Sequence, residues 1–387
     1  MIKRFLKKEI LALAKDYPVL TITGPRQSGK TTLAQNAFPS YRYCSLEDPD
    51  VRKLAQEDPR SFLRDWKKGI ILDEIQRVPE LLSYIQGLAD SADQMGRFIL
   101  TGSNQFDLMD TVTQSLAGRT ALFTLLPFSY QEISSIASKM SVEEIILQGF
   151  YPRVYDRHLH PTKMYKNYFE TYIQRDLRRL IDVKNLRLFQ KFVRLCAGRI
   201  GNLYVASHLA NEVGVSVPTI NSWLAILEAS FLVFLLEPYS RNIGKRLVKS
   251  PKLYFYDVGL VAYLLGIETP GQINRDPLWG ALVENLVVAE ILKTRLNQGL
   301  PPNIFFFRDS HGNEVDLIYQ KGSQLIPIEI KAAATYNSNF LKGLNHISHL
   351  FPDIDKGYIV YTGDQEQKLN QFELINYRRV GRIPGLK

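Results

Sequence analysis

One stretch near the N-terminus, GPRQSGKT at residues 24–31, constrains the fold more than any other part of the sequence. It fits the phosphate-binding pattern G-x-x-x-x-G-K-[ST] at every fixed position. An apolar, β-branched segment at 19–22 precedes it, and residues 32–37 have helical character. A strand, a glycine loop and a helix in this order predict a P-loop that binds a nucleoside triphosphate, with a chance glycine turn as the alternative.

The residue types in this loop suit the binding of phosphate and magnesium. Gly24 and Gly29 let successive backbone N–H groups point inward at phosphate oxygens, and the helix N-terminus adds partial positive charge. Lys30 is expected to reach the β- and γ-phosphates, and the Thr31 hydroxyl is expected to bind Mg²⁺. The predicted nucleotide-binding residues are Gly24, Pro25, Arg26, Gln27, Ser28, Gly29, Lys30, Thr31 and Thr32.

A second stretch, GIILDE at residues 69–74, has three apolar residues followed by two carboxylates. The apolar run predicts a buried parallel strand, and nucleotides bind at the carboxyl edge of such sheets. Asp73 is therefore expected in the Mg²⁺ shell, and Glu74 is expected to polarise the attacking water. A strand that ends in a solvated acidic turn is the alternative.

Three further residues of this region are candidates for catalysis. A third predicted strand, at 97–101, leads to Ser103 and Asn104, either of which is placed to contact the γ-phosphate. Arg119, in the segment LAGR, is a candidate to stabilise charge in the transition state, in cis or toward a neighbouring subunit. For Arg119 a surface ion pair is an equal alternative.

Together these segments resemble a family of bacterial and archaeal AAA-type ATPases (AAA_14) whose C-terminal half is the domain DUF4143. The resemblance covers nearly the whole chain, and it implies an AAA-like αβα core that binds ATP and Mg²⁺. It does not imply a particular substrate. The segments that carry it are GPRQSGKTTL (24–33), LDEIQRVPELL (72–82), LTGSNQF (100–106), LAGR (116–119) and LLPFSYQEI (125–133).

The middle of the chain, residues 151–264, is predicted to be helical and basic. Residues 161–200 contain ten Lys or Arg against three Asp or Glu. Arg175, Arg178 and Arg179 are candidates to contact a nucleotide across a subunit interface or to bind a phosphate backbone. A solvated helix face is the alternative.

Residues 203–238 predict a helix-turn-helix followed by a strand, which is the order of a winged helix. Ser216 is placed to cap the second helix, and Pro218 lies in its first turn. Contact with double-stranded DNA is one expectation for this region, and protein packing is the other. The candidates for DNA contact are Thr219, Asn221 and Ser222 on the second helix and Arg241, Lys245, Arg246, Lys249 and Lys252 after it.

Four C-terminal residues follow the layout D-(x)n-E-x-K of the PD-(D/E)XK nucleases. Asp316 lies on the second of three predicted strands, and Glu329 and Lys331 share one face of the third. Glu284 lies on the preceding predicted helix. Carboxylates in such sites hold Mg²⁺, and the lysine helps to activate water. We expect a restriction-endonuclease-like fold, with either a second metal site or a purely structural role.

Composition adds few constraints. The net charge of +9 permits an acidic partner such as nucleic acid. The two cysteines have no metal or redox spacing, and no apolar run is long enough to span a bilayer. The sequence therefore predicts a cytoplasmic protein without a membrane partner, and a homo-oligomer is compatible with it.

We expect an α/β protein of three domains. These are a P-loop AAA-like αβα domain at 1–150, a helical and winged-helix region at 151–264, and a restriction-endonuclease-like α/β domain at 265–387. The expected function is Mg²⁺-dependent ATP hydrolysis coupled to DNA or to a protein partner. Two alternatives stay open: an ATP-gated DNA nuclease that uses the C-terminal residues, and a non-enzymatic, nucleotide-dependent switch that binds DNA.

Overall fold

The computed structural model describes residues 2–64, 66, 68–91, 94–103, 115–175, 186–239 and 249–386, with only the backbone at 172–175. The chain divides into two compact units. The first comprises Met1–Phe128, Ala229–Phe231 and Leu296–Leu300, and the second comprises Ser129–Glu228, Leu232–Arg295 and Pro301–Lys387. The three domains expected at 1–150, 151–264 and 265–387 stay a prediction; the helical region and the C-terminal sheet share the second unit.

A five-stranded parallel sheet lies at the centre of the first unit. Its strands are β1 (Val19–Thr23), β2 (Arg42–Ser45), β3 (Ile70–Asp73), β4 (Phe98–Gly102) and β5 (Thr120–Thr124). They lie in the order β2-β3-β4-β1-β5. β1, β3 and β4 are buried along their whole length, as their continuous apolar runs predict.

Helices pack on both faces of this sheet. Because side chains alternate along a strand, Leu72 and Leu100 enter one core cluster, whereas Ile71 and Ile99 enter another. The α/β class and the parallel sheet predicted for this part of the chain are confirmed. The helices are Leu6–Leu13, Lys30–Ala37, Pro49–Glu57, Pro59–Arg64 and Leu81–Ser91, and a short 3₁₀ helix spans Ile75–Arg77.

The second unit begins with helices. They are Tyr130–Ala137, Val142–Gln148, Pro152–Asp156, Pro161–Arg175, Leu186–Ala197, Ala206–Val213, Val217–Ala229, Val258–Leu264, Pro270–Ile273 and Trp279–Leu296. The two helices from 206 to 229 precede an antiparallel pair, β6 (Val233–Leu236) and β7 (Lys252–Phe255). This is the predicted element order, and the winged-helix assignment itself stays a prediction. No helix in the described ranges is long and apolar enough to cross a membrane.

A six-stranded mixed sheet completes the second unit. Its strands are β8 (Ile304–Arg308), β9 (Glu314–Lys321), β10 (Gln324–Lys331), β11 (Gly357–Tyr361), β12 (Gln367–Leu369) and β13 (Phe372–Asn376), in the order β12-β13-β11-β10-β9-β8. β9 pairs antiparallel with both β8 and β10, and β10 pairs parallel with β11 on its other side. The helix Lys342–Leu350 joins β10 to β11. The restriction-endonuclease-like fold stays a prediction.

A close approach of two glycines fixes the turn after the helix Val142–Gln148. Gly149 has φ +59°, and a Cβ atom there would lie 1.9 Å from the Tyr165 hydroxyl oxygen and 2.9 Å from the Gly259 Cα. The carboxylate of Asp257 accepts hydrogen bonds from the Phe150 N–H at 2.7 Å and the Tyr165 hydroxyl at 2.6 Å. The turn therefore holds the helical part of the second unit together.

Candidate functional site

The P-loop backbone has the strained conformations that its glycines permit. Gly24 and Gly29 have φ of +140° and +94°, and Gln27 lies in the left-handed region at +62°. A Cβ atom on Gly24 would lie 2.2 Å from the Leu125 carbonyl oxygen, so only glycine fits there. The helix Lys30–Ala37 begins directly after Gly29. Its N-terminal N–H groups therefore face the loop, as anion binding requires.

Lys30 is buried in this loop, and within the described residues no carboxylate lies at contact distance from its ammonium. Only 5% of the residue is exposed, and its ammonium donates to the carbonyl oxygens of Gly24 at 2.9 Å and Pro25 at 2.8 Å. Burial lowers its pKa to about 8, against the opposing influence of Glu74 and Asp73. An arriving phosphate would supply the missing counter-charge. Lys30 is thus ready to exchange two neutral carbonyls for phosphate oxygens.

Three hydroxyl groups surround the carboxylate of Asp73 at the carboxyl end of β3. Thr31 donates to its two oxygens at 3.0 and 2.9 Å, and Tyr43 of β2 donates at 2.8 Å. Thr101 of β4 donates to Oδ1. Burial, followed by the charge of Asp73, raises the pKa of Tyr43 to about 12, so this hydroxyl stays protonated and keeps donating. The structure therefore unites the two predicted magnesium ligands, Thr31 and Asp73.

Glu74 follows Asp73 in a left-handed conformation, with φ +58°. Its Oε2 accepts hydrogen bonds from the Ser103 hydroxyl at 2.8 Å and from the Gln76 amide at 2.5 Å. The Ser103 hydroxyl therefore contacts Glu74, the predicted water-polarising residue, and only 5% of Ser103 is exposed to solvent. Asn104, the other candidate beyond β4, lies outside the described residues.

The residues at this edge fit a magnesium–nucleotide complex. A hydroxyl and a carboxylate are hard oxygen donors, which Mg²⁺ prefers, and Thr31 and Asp73 are already within hydrogen-bond distance of each other. Ser28 is fully buried, and its hydroxyl has no hydrogen-bond partner among the described residues. The donor set is therefore consistent with the predicted ATP and Mg²⁺ site.

Arg119 lies at the wrong edge of the sheet for action in cis. It immediately precedes β5, and its carbonyl oxygen accepts from the N–H of Val19 at the start of β1. The P-loop follows the other end of β1, roughly 13 Å away at the rise of a parallel strand. The guanidinium instead pairs with Asp90, with Nη2 3.0 Å from Oδ2. The in-cis expectation is corrected, because parallel pairing separates the two edges. A role toward a neighbouring subunit stays a prediction.

Sequence reasoning missed a cation that contacts the P-loop. Arg4, 9% exposed, donates to the carbonyl oxygen of Ser28 at 2.9 Å and to that of Leu126 at 2.7 Å. Its guanidinium carbon lies 4.8 Å from the centroid of the Phe128 ring. A basic residue near a chain terminus is usually solvated, so the sequence carried no signal for this contact. Tyr43 was missed for a different reason: only the pairing of β2 with β3 brings it to Asp73.

The structure brings together three of the predicted nuclease-like residues, Asp316, Glu329 and Lys331, as ion pairs. The Lys331 ammonium lies 2.6 Å from Glu329 Oε1 and 3.7 Å from Asp316 Oδ2. The same Asp316 oxygen accepts from the Ile330 N–H at 2.7 Å. The pKa of Glu329 is raised to about 8, mainly by burial and next by the charge of Asp316. Its second oxygen, Oε2, has no hydrogen-bond partner among the described residues.

Glu284, the fourth predicted residue, belongs to an ion pair that the sequence did not indicate. Its Oε1 lies 3.0 Å from the ammonium of Lys252 and also accepts from the Tyr254 hydroxyl. Lys252 contacts Glu314 Oε1 as well. Burial, followed by the charge of Asp316, raises the pKa of Glu284 to about 7. Burial by itself would lower the pKa of Lys252. The negative charges of Glu284, Asp316 and Glu314 outweigh burial, so the pKa of Lys252 is raised overall.

These C-terminal residues do not fit a divalent cation as they are arranged. Within the described ranges, no group of three or more His, Cys, Asp or Glu side chains is placed to hold a metal ion. Lys252 and Lys331 contact the carboxylates that the predicted site would need as ligands. A metal site at Glu284, Asp316 and Glu329, with Lys331 beside it, is untested, and it would need these ion pairs to rearrange.

The candidates for DNA contact are only partly described. Asn221 and Ser222 are exposed on the helix Val217–Ala229, and Thr219 is half-buried at its start, where Ser216 caps its N–H at 3.3 Å. Lys249 is exposed, but Lys252 is 2% exposed and paired with carboxylates, so its predicted place on a basic surface is wrong. Outside the described residues or side chains lie Arg175, Arg178, Arg179, Arg241, Lys245 and Arg246.

Three family models match successive parts of the chain. The AAA domain model (AAA_14) matches residues 16–134, a domain of unknown function (DUF8612) matches 139–271, and a second one (DUF4143) matches 279–380. The AAA-type and DUF4143 parts of the sequence resemblance are confirmed. The AAA match and the P-loop geometry give the first unit an ATPase-like nucleotide-binding function.

Several proteins are similar to this chain over much of its length. An uncharacterized protein of Mycobacterium tuberculosis and one of Mycobacterium bovis are each 31% identical over 324 residues, covering 82% of this chain and 71% of theirs. An uncharacterized protein of Haemophilus influenzae is 24% identical, covering 87% and 88%. The Walker-type ATPase PABY2304 of Pyrococcus abyssi has a TM-score of 0.46 at 15% identity, covering 68% of this chain and 96% of that one. This chain belongs to the same family as the mycobacterial proteins, and it carries an AAA domain, DUF8612 and DUF4143 in that order.

Proposed function

We propose that this chain binds ATP with Mg²⁺ at residues 24–32 and hydrolyses it. The observation that carries the proposal is that Lys30, Thr31, Asp73 and Glu74 meet at one edge of the parallel sheet. Lys30 and the helix N-terminus supply positive charge, and Thr31 and Asp73 supply hard oxygen donors. A bound Mg²⁺ would neutralise charge on the phosphate oxygens.

Each residue has a distinct task in this proposal. The Lys30 ammonium leaves the carbonyls of Gly24 and Pro25 and binds the β- and γ-phosphates. Thr31 and Asp73 hold the metal in place. Glu74 orients the attacking water and accepts its proton, once its Oε2 turns from Ser103 toward the γ-phosphate.

A phosphate-release assay with purified full-length chain tests hydrolysis. We expect Glu74→Gln to bind a fluorescent ATP analogue like the wild type and to lower kcat by about 10²–10⁴-fold. Lys30→Ala should lose binding as well. Lys53→Ala is the matched control, because Lys53 is an exposed lysine of the same unit, remote from the P-loop in sequence, that pairs with Glu57 at 3.8 Å. Equal phosphate release by the wild type and Lys30→Ala would disprove the proposal.

We also propose that the nucleotide state controls a partner, with double-stranded DNA as the first partner to test. The net charge of +9 and the exposed Asn221, Ser222 and Lys249 support it. Filter binding across a salt series should give a steep slope if phosphates are contacted. A non-enzymatic switch would show the same nucleotide-dependent affinity in the wild type and in Glu74→Gln with negligible turnover in both.

A homo-oligomer would give Arg119 a place beside a neighbouring nucleotide. Its half-buried side chain lies beside Asp90 at the sheet edge remote from its own P-loop. Light scattering with and without a slowly hydrolysed ATP analogue tests this. If the protein is a monomer under both conditions, Arg119 cannot act as an arginine finger on the nucleotide of a neighbouring subunit.

We do not extend the proposal to the alternative of an ATP-gated nuclease. Its carboxylates are already paired with Lys252 and Lys331. Plasmid nicking that requires Mg²⁺ and disappears in Glu329→Ala would restore that alternative.

A further inference from the structure

A buried lysine lies where three elements of the second unit meet. Lys252 begins β7, Glu284 lies on the helix Trp279–Leu296, and Glu314 begins β9. The Lys252 ammonium is 3.0 Å from Glu284 Oε1 and contacts Glu314 Oε1. Only 2% of Lys252 is exposed. A charge this deeply buried needs opposite charges at contact distance, and both carboxylates provide them.

We propose that Lys252 is the resident cation of this carboxylate cluster and excludes a divalent metal ion from Glu284. The ammonium stands beside the one predicted ligand that comes from the helix. A dication there would meet a fixed positive charge about 3 Å from its ligand oxygen, at low dielectric, where repulsion is strongest. The cluster therefore joins β7 to the C-terminal sheet as an ion-pair network.

The backbone holds Lys252 in this position. Lys252 pairs with Leu236 across the β6–β7 ladder and forms a bridge with Leu203. Its ammonium lies 5.5 Å from the centroid of the Phe306 ring, which closes another side. The strand pairing therefore fixes the Lys252 Cα beside the cluster, and the two carboxylates and the ring hold its ammonium there.

Two donors hold one oxygen of Glu284. The Tyr254 hydroxyl donates to the same Oε1 that faces Lys252. The Glu284 side chain is 17% exposed, so space alone does not close it to a cation. Repulsion from the adjacent ammonium keeps a metal ion away from this carboxylate. At the other end of the cluster, Lys331 contacts both Glu329 and Asp316.

Manganese binding to the nucleotide-free full-length chain tests this inference independently of ATP hydrolysis. Paramagnetic resonance counts free Mn²⁺ during a titration. We expect identical isotherms for the wild type and Glu284→Gln, because Glu284 holds no metal. Lys252→Met should gain one site, at least about tenfold tighter than any in the wild type, and Lys252→Met/Glu284→Gln should lose it. Added Mn²⁺ should raise the melting temperature of Lys252→Met only.

Lys293→Met is the matched control. Lys293 is also 2% exposed and lies on the same helix as Glu284, but its ammonium lies over the Phe150 ring, 4.1 Å from its centroid, and its charge acts on Glu290. It should gain no manganese site. Wild-type binding that Glu284→Gln removes would overturn the inference, and so would a folded Lys252→Met without a new site. If Lys252→Met does not fold, the wild type and Glu284→Gln still decide.

Discussion

Two buried lysines of this chain show opposite electrostatic states. Lys30 and Lys252 are 5% and 2% exposed, so both ammonium groups are removed from water. Lys30 contacts two neutral carbonyl oxygens, and its pKa falls to about 8. Lys252 contacts two carboxylates, and its pKa is raised. Burial is similar at the two positions, so the partners make the difference.

The difference indicates what each lysine does. A buried ammonium without an anion at contact distance is destabilised until an anionic ligand arrives, which suits a phosphate site. A buried ammonium between two carboxylates is already neutralised, so it suits a structural role. In the sequence, the P-loop pattern already distinguishes Lys30, whereas Lys252 is one of several basic residues with no such pattern around it.

Replacing each lysine by methionine separates the two roles, and stability should show the largest effect. Lys252→Met leaves Glu284 without its cation, whereas the half-buried Glu314 keeps Arg308 at 3.4 Å, so we expect a loss of about 3 kcal/mol in the free energy of unfolding. Lys30→Met removes an ammonium that is poorly solvated in the fold, so we expect a loss of only about 1 kcal/mol. Urea unfolding, followed by tryptophan fluorescence, measures both.

Nucleotide binding should reverse this order. Lys30→Met is expected to abolish binding, whereas Lys252→Met should bind ATP like the wild type at temperatures where it is folded. Comparable losses of stability in the two variants would break the comparison, since the partners would then be irrelevant.

Proton uptake on ATP binding should reveal the lowered pKa of Lys30 in the wild-type protein. With a pKa of about 8, Lys30 is about half neutral at pH 8 in the free protein. A bound phosphate favours the ammonium, so binding should take up about half a proton at pH 8 and nearly none at pH 6.5. Above pH 8 the affinity should fall by up to about tenfold per pH unit. Calorimetry in buffers of different ionisation enthalpy measures the number of protons taken up per ATP bound. A number that stays constant from pH 6.5 to 9 would contradict the prediction.

The sequence predicted the P-loop site better than the C-terminal cluster for a physical reason. Gly24 to Thr31 are contiguous, so local backbone conformation alone fixes their geometry. Asp73 could be placed because carboxyl ends of parallel strands share one edge. Lys252 could not, because a lysine beside other basic residues looks solvated until the packing of β7 against a distant helix is known. The position of Arg119 likewise depended on which edge of the sheet it would occupy.

Two tyrosines of one strand region provide a finer test of the P-loop site. The Tyr43 hydroxyl donates to Asp73 at 2.8 Å, whereas the Tyr41 hydroxyl donates to the Gly96 carbonyl oxygen at 3.0 Å. Each Tyr→Phe change removes only one hydroxyl and should cost about 1 kcal/mol of stability. Only Tyr43→Phe should raise the Mg²⁺ concentration for half-maximal hydrolysis, by about three- to tenfold, because Asp73 loses a donor that orients it.

ATP binding in the presence of EDTA should be the same in both tyrosine variants and in the wild type. An equal Mg²⁺ requirement in Tyr41→Phe and Tyr43→Phe would show that the Tyr43 contact does not position Asp73.

The smallest effect is expected from Ser103→Ala, and its sign decides between two roles. Ser103 donates to Glu74 Oε2 at 2.8 Å, and Gln76 donates to the same oxygen. If Ser103 only restrains Glu74, losing one neutral hydrogen bond should free the carboxylate and raise basal kcat by about two- to fivefold, with ATP binding unchanged. If Ser103 contacts the γ-phosphate during hydrolysis, kcat should fall instead. Because Gln76 still holds Glu74 after the change, the rise should stay small, and Ser103→Ala/Gln76→Ala should increase it further.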